Sequence, residues 1–148
     1  MTSSALMDWS MTSKSAVVYL FLFGLMACKP QGKSEVSAIL EINEPKNWIL
    51  VIHPEGCKTC LDSFYEELMT LAPSTDGAIV ILAKNSKTLR MNPLIQNSPI
   101  PLYLDEEKQL IQKNLVLATD QILLFEPNGF QKFDILDYQK VLEELQLK

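Results

Sequence analysis

The chain has 148 residues, the length of one domain, and 47% of them are hydrophobic, which is enough for a single globular core. Thirteen Lys and Arg against eighteen Asp and Glu leave a formal net charge of -5. A phosphate-binding surface needs clustered basic residues, so nucleic acid is excluded from the expected partners.

The start of the chain reads differently from the rest. Lys14 precedes an uninterrupted apolar stretch from Ala16 to Ala27, followed by Cys28 and Pro30. Spanning a bilayer takes about 20 apolar residues, so this shorter stretch matches the apolar region of a cleaved secretory signal. Residues 1–27 are assigned to that signal. Met11 is the expected start, because the preceding residues place Asp8 where a signal should be basic. "LMAC", Leu25 to Cys28, resembles the lipobox of bacterial lipoproteins. The resemblance implies cleavage before Cys28, thioether lipidation of its sulfur and a membrane tether; an ordinary signal or anchor helix with a chance cysteine is the alternative. Two or more acyl chains anchor stably, since each buried methylene contributes about 0.8 kcal/mol. Lys29 follows in place of the Asp associated with inner-membrane retention, which favours the outer membrane and a periplasmic-side location in a bacterial envelope. Lipidation leaves Cys57 and Cys60 as the remaining thiols, in a compartment where disulfides persist.

Residues 28–47 are expected to form a lipidated tether with a possible first strand, Val36 to Ile42. "WILVIH", Trp48 to His53, is a continuous apolar run of the kind found in strands buried on both faces. From Cys57 the period changes: Leu61, Phe64, Leu68 and Leu71 recur at spacings of three and four, predicting an amphipathic helix that ends by Pro73. "AIVILA", Ala78 to Ala83, predicts a second buried strand. Strand, helix and strand in that order suggest a parallel pair joined by a crossover. One short helix is expected around Ser86 to Met91, then a short strand and a helix in "PLYLDEEKQLIQKN". "QILLFEPNGFQKFDIL" predicts two strands turning at Pro127, Asn128 and Gly129, with Asn-Gly supplying positive backbone dihedrals. A last helix is expected from about Asp137 to Leu147.

The stretch "HPEGCKTC", His53 to Cys60, admits three readings: a working redox pair, a structural crosslink, or two metal ligands. A cysteine at a helix entry lies where unpaired N–H groups and the macrodipole favour an anion, so its thiolate is stabilised. Cys57 is then the nucleophile and Cys60, one turn on, the resolving thiol. Lys58 would add to the stabilisation if its side chain reaches Cys57. His53, the only histidine, could join the thiols around a soft ion or zinc, but it reads better as a strand-end residue modulating the thiol, and no metal is assigned.

Strand, CxxC and helix, followed by strand, turn, strand and a terminal helix, resemble the thioredoxin superfamily. "PIPLYLDEEKQLIQKN" and "ILLFEPNG" are similar to the closing half of the redoxin branch that includes membrane-tethered thiol-disulfide reductases. The resemblance covers most of Trp48 to Lys148 and implies an α/β thioredoxin-like fold for residues 48–148, with a central mixed sheet flanked by helices. It further implies a CxxC oxidoreductase with no cofactor, whose partners are protein thiols and disulfides and an unidentified electron donor. Three features depart from the family. Gly56 stands where a Trp usually precedes the first cysteine, and Lys58-Thr59 separate the pair where Gly-Pro is frequent. The family's cis-proline falls on Asp120, after Thr119; a trans peptide is expected there, since a non-proline cis bond costs about 2.5–4 kcal/mol. A carboxylate at that place would raise the Cys57 pKa by like-charge repulsion. The strand before the pair also lacks the buried acid that some members use for proton transfer.

The remaining features read as scaffold. Glu66, Glu67, Asp105, Glu106, Glu107, Glu143 and Glu144 are assigned to solvation, and Phe64, Tyr65, Met69 and Phe125 to packing. The competing functional reading is a lipoprotein that keeps the fold for binding, with a structural or vestigial disulfide.

Overall fold

The computed structural model describes residues 32–42 and 46–148, which fall within one compact unit, Gln31–Lys148. The expected signal, its start at Met11 and the lipidated Cys28 lie outside the described residues. Among those described, no helix is long and apolar enough to cross a membrane.

β1 (Trp48–Ile52) is buried at all five positions, as its unbroken apolar run requires. It pairs in parallel with β2 (Gly77–Ile81) and antiparallel with β4 (Ile122–Glu126). β3 (Leu102–Leu104) extends the parallel side beyond β2, and β5 (Gly129–Phe133) extends the antiparallel side beyond β4. The result is a mixed five-stranded sheet in the order β3-β2-β1-β4-β5. α2 (Lys58–Leu68) provides the crossover that a parallel β1–β2 pair needs. At the start of that pair Trp48 faces Gly77, where a Cβ would meet the indole at 2.1 Å, so only glycine lets the ring lie across the neighbouring strand.

Strand alternation divides the interior into two clusters. Trp48, Leu50 and Ile52 join Leu61, Phe64, Tyr65 and Leu68 of α2 and Val141, Leu142 and Leu145 of α6 (Tyr138–Gln146). Ile49 and Val51 turn to the other cluster, with Val36, Leu110, Val116 and Phe125. The protein is therefore α/β, with a central mixed sheet covered by helices on both faces.

The sequence reading needs four corrections. The stretch expected to be a first strand is instead α1 (Lys33–Ile39), followed by a turn with Glu41 at a left-handed φ of 53°. Val36, Ile39 and Leu40 share one helical face and pack into the second cluster, so this segment belongs to the folded unit and not to a free tether. A second short helix, α4 (Pro93–Asn97), follows the expected α3 (Lys87–Arg90); Asn92 caps it through Leu94 N at 2.9 Å, and Pro93 occupies its first turn. The hairpin turns through Pro127 and Asn128, and Gly129, not Asn128, takes the positive φ, 151°. Finally, Asp105 is 1% exposed and does not serve solvation: it accepts the amides of Gln109 and Leu110 at 2.8 and 2.9 Å, capping α5 (Gln109–Gln112).

Candidate functional site

Cys57 is the N-cap of α2, with an extended backbone, and its Sγ accepts the Cys60 N–H at 3.2 Å. The next amide, that of Leu61, is taken by the Cys57 carbonyl at 3.0 Å. Cys57 thus occupies the position at which a side chain normally satisfies one of the orphan donors of a helix start. The two cysteines form a disulfide with Cα atoms 5.3 Å apart, and both are half-buried against the α2 side of the core. A Cys57 thiolate held at this cap would have an N–H donor and the positive end of an eleven-residue helix. Cys60 lies inside the first turn, where its own amide is the one donated to Cys57.

The other residues singled out from the sequence are dispersed. Lys58 is exposed and has no hydrogen-bond or ion-pair partner among the described residues. Thr119 is exposed in the loop before β4. The peptide at Asp120 is trans. Its carboxylate accepts the Leu117 N–H at 2.9 Å and pairs with Lys132 on β5 at 2.9 Å. The partners of the Asp120 carboxylate are thus Leu117 and Lys132.

His53 continues the alternation of Ile49 and Val51 and so turns away from the α2 side. It is 2% exposed, with Nε2 3.0 Å from Glu55 Oε1 and 3.1 Å from Lys108 Nζ. Lys108 also reaches Glu55 at 3.3 Å and holds a left-handed backbone, φ 53°, at the start of α5. These three side chains form their own polar cluster beside α5. Among the described residues no group of three or more His, Cys, Asp or Glu could hold a metal ion.

Gln121 is the residue that sequence reasoning missed. Its carbonyl accepts the His53 N–H at 2.8 Å, its Oε1 accepts the Ile135 N–H at 2.8 Å, and its Nε2 lies against Gly56, the residue before Cys57. The available signal was a polar residue opening the apolar run "QILLF", directly after the position of the expected proline. Tyr65 is also more than packing. It is 6% exposed, its Oη has no hydrogen-bond partner among the described residues, and burial, helped by the nearby Asp62 carboxylate, pushes its pKa up to about 12.

Compared with protein-family models, curated proteins and solved structures, the chain finds no match.

Proposed function

We propose that this protein is a thioredoxin-like thiol-disulfide oxidoreductase, lipid-anchored through Cys28 on the periplasmic side of a bacterial envelope, acting through Cys57 and Cys60. The observation that carries the reading is the Cys57 Sγ at the N-cap of α2, accepting the Cys60 amide. The order of the five strands and the position of the pair at the start of α2, after β1, are compatible with that fold.

In the reaction, the Cys57 thiolate attacks one sulfur of a substrate disulfide, forming a mixed disulfide and releasing the other substrate sulfur as a thiolate. Cys60 loses its proton and attacks the Cys57 sulfur, releasing the second substrate thiol. Two electrons and the Cys60 proton pass to the substrate, whose first-released thiolate takes its proton from water, and Cys57 and Cys60 end joined. A dithiol donor restores the reduced pair by the reverse exchange.

The second reading, a binding lipoprotein with a structural disulfide, is favoured by Asp120 in place of the family's proline. A redox titration of the full chain in detergent, in glutathione buffers with thiol trapping read peptide by peptide, separates the two. An oxidoreductase gives a reversible couple between roughly -120 and -270 mV, the range of exchange enzymes, and Cys57→Ser abolishes exchange. A pair that stays oxidised below about -300 mV, or thiols inert to small disulfides, sinks the enzyme and leaves the binding protein.

A further inference from the structure

Gln121 touches three segments around the cysteine pair. Through its carbonyl it fixes the residue that ends the β1 run, His53; through Oε1 it fixes Ile135, the first residue of the 3-10 turn Ile135–Asp137 that leads into α6. Because Oε1 must face the Ile135 N–H donor, the orientation of the amide is set, and the NH2 end is presented to the turn that delivers Cys57. A Cβ on Gly56 would stand 2.9 Å from that Nε2 and 4.0 Å from an Ile135 methyl. Gly56 also has φ +101°, a conformation L side chains rarely adopt. The backbone angle therefore requires glycine here, and a methyl would in addition press on the amide at the end of the flexible Gln121 side chain.

We propose that Gln121 is a positioning residue for the redox pair: its amide, packed where a side chain of residue 56 would be, holds the Gly56 backbone in the conformation that sets Cys57 Sγ on the α2 N-cap. This rests on the reading of Cys57 and Cys60 as an exchange pair. In the disulfide the covalent bond itself ties Cys57 to the first turn. In the dithiol that tie is gone, and Cys57 meets the Cys60 N–H only if the residue before it keeps its backbone angles. Glycine, the least restricted residue, cannot hold them alone. Gln121 supplies the restraint, so it favours the dithiol state with a hydrogen-bonded thiolate over the disulfide, without touching the substrate. Loosening it shifts the exchange equilibrium towards the disulfide and lowers the thiolate population of Cys57.

The test is a double-mutant cycle on the full chain in detergent with Gln121→Ala, Gly56→Ala and both together. The readouts are the exchange constant with glutathione, the alkylation rate of Cys57 and the thermal midpoint. Each single change is expected to move the exchange constant about tenfold towards the disulfide, equivalent to about 30 mV for a two-electron couple, and to slow alkylation. The double mutant is expected to move it by less than the product of the two, because truncating Gln121 clears the space a methyl on residue 56 needs. Gln121→Asn keeps an uncharged amide but draws it one methylene back from Gly56, so it supplies the same readout if Gln121→Ala does not fold. Folded variants whose constants stay within about twofold of wild type, or singles whose shifts simply multiply, overturn the positioning role. Wild-type protein that does not exchange at all overturns the parent reading instead, and that result is read before any variant is made.

Discussion

The two faces of the sheet treat buried polar groups in opposite ways. Beside α5, Asp105 gives both carboxylate oxygens to backbone amides, and His53 is held by Glu55 and Lys108. On the α2 side, Tyr65 Oη has no partner among the described residues, and Cys57 Sγ has a single amide. A saturated group gains nothing by changing state, since every alternative breaks a bond it already has. The Cys57 sulfur, bonded to Cys60 Sγ, has one N–H donor besides that bond. The comparison thus separates a face whose buried polar groups are matched by hydrogen bonds from a face that holds a phenol and a disulfide mainly by packing.

The sharpest way to break that contrast is to remove the packing. Phe64 is fully buried in α2, and its ring lies 5.5 Å from that of Tyr138 on α6. Phe64→Ala removes a large apolar side chain and leaves a cavity between α2, α6 and the sheet, at an expected cost of about 3–5 kcal/mol in denaturant unfolding. A loss below about 1 kcal/mol would mean that α2 is held by something other than this core. On the other face the hydrogen bonds should matter more. Asp105→Ala leaves two amides of α5 without acceptors, with an expected loss of about 1–3 kcal/mol. The exchange constant of Cys57 and Cys60 should not move. If it does, the two faces are coupled and the contrast between them fails.

How much of this was legible follows the range of the forces involved. β1, β2 and α2 were readable because an unbroken apolar run or a three-four spacing lies within one segment, and the cap at Cys57 is likewise local. The stretch from Val36 to Ile42 was not. Positions 36, 38, 40 and 42 alternate as in a strand, while 36, 39 and 40 share a helical face, and only packing against Leu110, Leu115 and Val116 decides for the helix. Asp105 looked solvated because two glutamates follow it. Its burial depends on the turn at Lys108, whose left-handed backbone brings the amides of Gln109 and Leu110 back to the carboxylate. Gln121 carried only a weak local signal for a similar reason: its meaning lies in contacts with Gly56 and Ile135, which are distant in sequence. The cysteine pair could be read because its members are three residues apart, whereas the contacts of Gln121 beside it come from separate strands and turns.

The smallest expected effect tests the under-coordinated side most directly. Tyr65→Phe deletes a buried hydroxyl that lacks a hydrogen bond within the described residues, so no native bond is lost and the cost of desolvating the group disappears. At neutral pH the unfolding free energy should stay within about 0.5 kcal/mol of wild type or rise slightly. In alkali the two proteins should diverge. The folded-state pKa is raised from 10.0 to about 12, so the stability tied to the neutral phenol is fully present below pH 10. It is lost as pH rises through the interval up to about 12, because the unfolded chain gives up its proton first. Removing the hydroxyl removes that loss, while every other titrating group is shared and cancels in the difference. Denaturant midpoints of both proteins across this interval should therefore separate in favour of Tyr65→Phe. Parallel curves would show that the phenol is hydrated in the folded state, and a loss above about 1 kcal/mol at neutral pH that it has a partner; either would make the α2 side as fully satisfied as its opposite.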